Sequence, residues 1–105
     1  MYGLSENIIS EINGVFKKYP EIEKVYIFGS RAKGCYREGS DIDLALFGKA
    51  INRKLLLEIL CDIDDLEMLY NVDLINFKDV ENKPIGEHIL RVGKTFFTNP
   101  NFQQF

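Results

Sequence analysis

Apolar positions along this chain change period several times, and each change marks an element. Ile8, Ile12, Val15, Phe16 and Tyr19 recur at helical spacing, so residues 5–19 are expected to form a helix that Ser5 caps and Pro20 ends. Gly14 inside that stretch weakens it by about 1 kcal/mol relative to alanine. Residues 24–28 are a short apolar run of strand character. Residues 29–34 open on Gly-Ser and read as a turn or short helix, and residues 35–40 read as a loop. A second strand follows over 41–47, closed by Gly48. Leu56, Leu60, Ile63, Leu66 and Leu69 then repeat every three or four residues, which predicts a long amphipathic helix over 51–69, broken at Asn71. Residues 72–77 read as a third strand. Pro84 suits the first position of a last helix, with Ile85, Ile89 and Val92 on one stripe and Gly93 past its end. Thr95-Phe96-Phe97 is a candidate edge strand, and residues 98–105 read as a tail.

This alternation predicts an α/β (α+β) fold, a mixed sheet of three or four strands with helices packed on one face. At 105 residues the chain is expected to be a single domain, with its core over about 5–97. Hydrophobic residues at 46% and charged residues at 28% match a folded soluble domain and argue against disorder. A net charge of −3 offers no general attraction to phosphate backbones, so direct nucleic-acid binding is not expected. No apolar run approaches a membrane span, and Met1 to Ser10 lack the basic and apolar pattern of a secretion signal. Cys35 and Cys61 are too few for a disulfide framework or a zinc site. A cytoplasmic location is the expectation.

Two adjacent features carry the candidate chemistry. The first apolar run ends in Gly29-Ser30, and ten residues later comes Asp41-Ile42-Asp43. Alternate residues of a strand share a face, so Asp41 and Asp43 project together while Ile42, Leu44 and Leu46 point the other way. Two neighbouring carboxylates repel unless a cation lies between them. Mg²⁺ takes carboxylate oxygens and completes its shell with water and substrate phosphates. Gly29 lets backbone come close to such phosphates, and Ser30 supplies a hydroxyl and an N–H. A third aspartate, Asp73, opens another apolar strand. By parity it shares a side with Ile75 and Phe77, opposite Val72 and Leu74. Three carboxylates converging on one sheet edge would make a two-metal site for phosphoryl or nucleotidyl transfer. As a bland alternative, Asp41 is a turn residue, Asp43 a solvated strand position and Asp73 a partner for a nearby lysine.

The wording Gly-Ser-Arg-Ala-Lys-Gly over 29–34, Gly-Ser-Asp-Ile-Asp-Leu over 39–44 and Val-Asp-Leu over 72–74 resembles the nucleotidyltransferase superfamily related to DNA polymerase β. It is most similar to the smallest branch, the minimal nucleotidyltransferases (MNT). The resemblance covers about residues 5–97 and implies a polymerase β-like fold. Members of that branch are commonly encoded beside a small helical HEPN-domain protein, a toxic RNase to which they act as antitoxin. The implied activity is Mg²⁺-dependent transfer of AMP from ATP to a tyrosine hydroxyl of the HEPN partner. By the same resemblance Gly29 and Ser30 would contact the triphosphate, Asp41 and Asp43 would bridge two Mg²⁺ ions, and Asp73 would serve the acceptor hydroxyl. Two rivals stand beside that activity: nucleotidyl transfer to a small-molecule hydroxyl, and a non-catalytic module that neutralises a HEPN partner by binding alone.

Arg31, beside Ser30, is a further candidate phosphate contact, since guanidinium groups bind phosphate oxygens well. Lys33 fits that role or a solvated surface equally. His88, on the same side of the last helix as Ile85 and Val92, reads as a packing histidine. The acidic run Asp62, Asp64, Asp65 and Glu67 reads as a solvated helix face. Phe96 and Phe97 are expected to finish the core, whereas Phe102 and Phe105 in the tail could dock on a partner. A homo- or hetero-oligomer is compatible with these features.

Overall fold

In the computed structural model, which describes residues 1–37 and 39–100, the pattern resolves into four helices and four strands. Helix α1 spans Glu6–Phe16, with the Ser5 hydroxyl accepting from the Ile8 N–H at 3.3 Å as its cap. It ends before the expected residue 19, because the Lys18 and Tyr19 N–H groups turn back three residues to Val15 and Phe16. Strand β1 is Lys24–Phe28, helix α2 is the single turn Ser30–Lys33, and strand β2 is Ile42–Phe47. Helix α3 covers Arg53–Asp64, capped by Asn52, whose side-chain oxygen accepts from the Leu55 N–H at 2.8 Å. Strand β3 is Val72–Asn76, after which Phe77–Asp79 form a short 3₁₀ turn. Helix α4 is Pro84–Val92, with proline in its first turn and Gly93 just past its end, and strand β4 is Lys94–Thr98.

The expectation for α3 was too long. The helix stops at Asp64 instead of reaching residue 69. Its last turn carries acidic residues and no basic one, the wrong sign for the negative end of a helix dipole. The chain must also turn there to enter β3, and Glu67 takes a positive φ of 52° in doing so. Leu69, assigned to the apolar stripe by its spacing, is fully exposed.

The sheet has the order β3-β2-β1-β4. β1 runs antiparallel to β2 and β4, and β2 runs parallel to β3. That parallel pair needs a crossover, which α3 supplies. The larger core fills the face beneath α1 and α3, where Ile12, Val15, Phe16, Ile59 and Ile63 meet Val25, Ile27, Ile42, Leu44 and Leu46. Helices were expected on one face, and that face holds α1 and α3. α4 covers part of the opposite face, where Ile89 packs with Phe28 and Ala45. Tyr26, Phe47 and Phe77 extend that smaller layer, with ring centroids 4.8 Å and 4.4 Å apart in sequence. Phe96 and Phe97 are buried on edge strand β4 and complete the larger core. Tyr19 ties the end of α1 to α3 by donating to the Asp62 carboxylate. Burial first, and then that carboxylate, push its phenol up to about 12, so the hydroxyl remains a donor at neutral pH. Among the described residues no helix is long and apolar enough to cross a membrane. Phe102 and Phe105 lie outside the described residues.

Candidate active site

The strand ends gather the candidate residues. β1 finishes at Phe28, and Gly29 then turns the chain with φ 75° and ψ −154°. That conformation is open to glycine and strained for other residues. A methyl carbon at Gly29 would also collide with the Asp43 carboxylate. Ser30 then starts α2, which Gly34 closes in the left-handed region at φ 82°.

Sheet register fixes the carboxylates. Phe28 pairs with Asp43 across the antiparallel β1–β2 ladder, which sets Gly29 beside Asp43. Asp43 pairs with Asp73 across the parallel β2–β3 ladder. Val72 and Leu74 pack into the larger core, whereas Ile75 and Phe77 join the opposite layer with Ala45 and Phe47. Asp73 therefore projects on the same face as Asp43. Asp41 sits one residue before β2, exposed, and close enough for its charge to act on Asp43.

The electrostatics follow from that crowding. Burial, the neighbouring Asp73 charge, the Asp41 charge and a hydrogen bond to Asp73 together hold the Asp43 carboxyl above the usual carboxylate range. Among the described residues no lysine or arginine forms an ion pair with any of the three. A cation placed among them would reverse this balance. The donor set consists of hard oxygens, which suits Mg²⁺. Among the described residues no closed cage of three such ligands is preformed. Mg²⁺ does not require one, because it normally keeps waters and substrate phosphates in its shell. The residues therefore fit the ion, with Asp43 and Asp73 as the core pair. A polar cavity of about 360 Å³ adjoins them, lined by Asp41, Asp64, Tyr70, Asn71 and Asp73. A larger cavity of about 740 Å³ lies on the outside of α3, between Tyr19 and Leu57, and contains none of the three aspartates.

Arg31 is placed differently from the phosphate contact expected of it. Its side chain is buried, and its guanidinium donates to the carbonyls of Ser40 and Tyr2. Lys33 and Arg37 are exposed, and His88 is half-buried on α4. Sequence spacing did not single out Tyr2, Tyr36, Ser40 or Tyr70, all of which surround Arg31. Their grouping depends on tertiary contacts that leave no local pattern.

A glycine-serine turn at a strand end, facing paired carboxylates on the two neighbouring strands of a mixed sheet, defines a nucleotidyltransferase domain. The chain belongs to the polymerase beta nucleotidyltransferase family, whose model matches residues 10–101. No match was found among curated proteins. Several solved structures share the fold. One is a toxin–antitoxin crystal structure with AMP-PNP, at TM-score 0.69 and 22% identity, covering 92% of this chain and 76% of the other. Another is the MntA–HepT toxin–antitoxin, at TM-score 0.66 and 17% identity, covering 90% and 74%. A third is a tri-AMPylated Shewanella oneidensis HEPN toxin in complex with MNT antitoxin, at TM-score 0.66 and 18% identity, covering 94% and 74%.

Proposed function

We propose that this protein is a cytoplasmic antitoxin that transfers AMP from ATP, with Mg²⁺, to a tyrosine hydroxyl of a HEPN-domain toxin. The observation that carries this function is the in-register pair Asp43 and Asp73 beside Gly29. It sets hard anionic ligands next to the turn suited to a triphosphate. The similarity to an AMP-PNP-bound toxin–antitoxin and to an AMPylated HEPN toxin with its MNT partner supports the nucleotide and the acceptor.

The roles divide by position. Gly29 leaves room for the triphosphate, and Ser30 donates its hydroxyl and N–H to phosphate oxygens. Asp41, Asp43 and Asp73 would hold two Mg²⁺ ions, which when bound neutralise charge on the attacking and leaving oxygens. The acceptor oxygen forms a bond to the α-phosphorus of ATP while the bond to pyrophosphate breaks in line. A tyrosine hydroxyl ionises at about 10, so its proton must be drawn off as it attacks, a role this reading gives to Asp73.

The test is incubation of the purified protein, its HEPN partner, Mg²⁺ and ATP labelled in the α-phosphate. The expected result is label on a partner tyrosine and a mass gain of whole AMP units. Neutralisation of the toxin with no mass gain would show inhibition by binding alone. Label on a small-molecule hydroxyl with none on the partner would move the acceptor class.

A further inference from the structure

Arg31 is a cation beside the Gly29-Ser30 turn whose three guanidinium nitrogens all donate to carbonyls of its own chain. Its residue is 3% exposed. Nε and Nη2 both donate to the Ser40 carbonyl, at 3.1 Å and 2.9 Å, and Nη1 donates to the Tyr2 carbonyl at 2.9 Å. The side-on edge of the guanidinium is therefore filled, and Nη1 is engaged as well. Its carbon also lies 5.2 Å from the Tyr36 ring centroid and 5.0 Å from that of Tyr70. Bidentate phosphate binding through the side-on edge needs both of its N–H groups free, and both already donate to Ser40 in a residue that is buried.

Arg31 and its partners Ser40 and Tyr70 lie close in sequence to the site residues. Arg31 follows Ser30, and Ser40 precedes Asp41. Tyr70 precedes Asn71, whose carbonyl accepts from the Ile42 N–H at 2.8 Å and so joins the entries of β2 and β3 ahead of Asp43 and Asp73. Tyr2 brings the N-terminal segment to the same point, with its hydroxyl donating to the Thr95 carbonyl at 2.8 Å.

We propose that Arg31 is a positioning residue that locks the Gly29-Ser30 turn, the entry to β2 and the entry to β3 into one unit, and that it does not bind phosphate. This rests on the nucleotidyl-transfer function above. The planar fork matters as much as the charge. A lysine ammonium lacks the second donor aligned on Ser40 and the flat faces that stack on the tyrosines. A phosphate contact, by contrast, is served adequately by a lysine acting as a point charge.

The experiment compares Arg31→Lys and Arg31→Ala with the unaltered protein. Each is assayed for labelled AMP transfer, for calorimetric affinity toward an ATP analogue with Mg²⁺, and for amide exchange at residues 40–43 and 70–73. In both variants kcat should fall by about 100-fold, the loss expected when reacting groups shift by about 1 Å. Exchange at the Ile42 amide should quicken by roughly tenfold or more, as a local opening would produce. Methylguanidinium should restore part of the activity of Arg31→Ala. A lysine variant with near-normal kcat, beside an alanine variant with weakened ATP affinity and unchanged exchange, would establish a phosphate contact and overturn the proposal. Should Arg31→Ala fail to fold, Tyr70→Leu removes one stacking face. Faster Ile42 exchange with lowered kcat then supports the lock, and no change in either overturns it. The exchange readout needs no turnover, so absence of transfer by the unaltered protein would refute the proposed function and leave this test standing.

Discussion

The surroundings of Asp43 oppose its charge. Its carboxyl is raised by burial and by two neighbouring aspartates, so folding without a cation makes it harder to ionise than in the unfolded chain. The sign follows from proton counting: between the ordinary aspartate pKa and the raised one, the folded state holds more protons than the unfolded chain. Stability then falls as pH rises through that window and stays lowered above it. Asp43→Asn should therefore raise the melting temperature of metal-free protein at neutral pH. The gain should shrink as the pH is lowered toward ~4, the unfolded aspartate value. Thermal melts in chelator across pH check this, and an equal gain at every pH would remove the electrostatic explanation. The same variant should lose AMP transfer. Gly29 is the complementary case, because its missing side chain is what lets Asp43 stand where it does. Gly29→Val should lower both stability and affinity for an ATP analogue with Mg²⁺. Ser30→Ala should lower affinity alone, by the loss of one charge-assisted hydrogen bond of about 1.5–3 kcal/mol. Calorimetric titration ranks the two, and affinity in both equal to that of the unaltered protein would place phosphate elsewhere.

At the scale of elements, α3 is where helical periodicity and actual packing part company. Ile59 and Ile63 are its buried residues, and Leu69 in the expected stripe is bare. Ile63→Ala should destabilise by about 2–5 kcal/mol through the cavity it leaves. Leu69→Ser should change stability by less than about 0.5 kcal/mol. Asn52→Ala should cost about 1 kcal/mol by removing the cap. Denaturant melts order the three, and a large loss at Leu69 would restore the longer helix. The strands were legible because their two-residue period is enforced by burial: Ile42, Leu44 and Leu46 must point inward, which turns Asp43 outward. The turn after β1 was legible because Gly29 and Ser30 end an apolar run. The side taken by Asp73 was not. Parity orients a side chain relative to its own strand and leaves the cleft side open until β3 is docked parallel to β2 with Asp43 opposite Asp73. Arg31 was misplaced for a similar reason. The Tyr2 carbonyl that binds it lies 29 residues away in the chain, beyond any local pattern.

For the whole molecule, sheet order divides the chemistry between strands. Gly29 directly follows β1 and Asp43 lies in β2, both strands inside the sheet, whereas Asp73 belongs to β3 at its margin. Asp73→Asn should keep near-normal affinity for an ATP analogue with Mg²⁺ while AMP transfer falls by several orders of magnitude. Titration and a labelled-transfer assay on the same preparation check this, and comparable transfer by the variant would relocate the acceptor ligand. Among the described residues the sheet has no further strand beyond β3, so on that side Asp73 borders only the polar cavity of about 360 Å³. On the function proposed above, a cavity of that size would not enclose a protein acceptor. Free tyrosine and short tyrosine peptides should react poorly at any concentration, because nothing holds the phenol in line. Selectivity would reside in the collision between two folded surfaces, and the toxin would bring the missing half of its own active site.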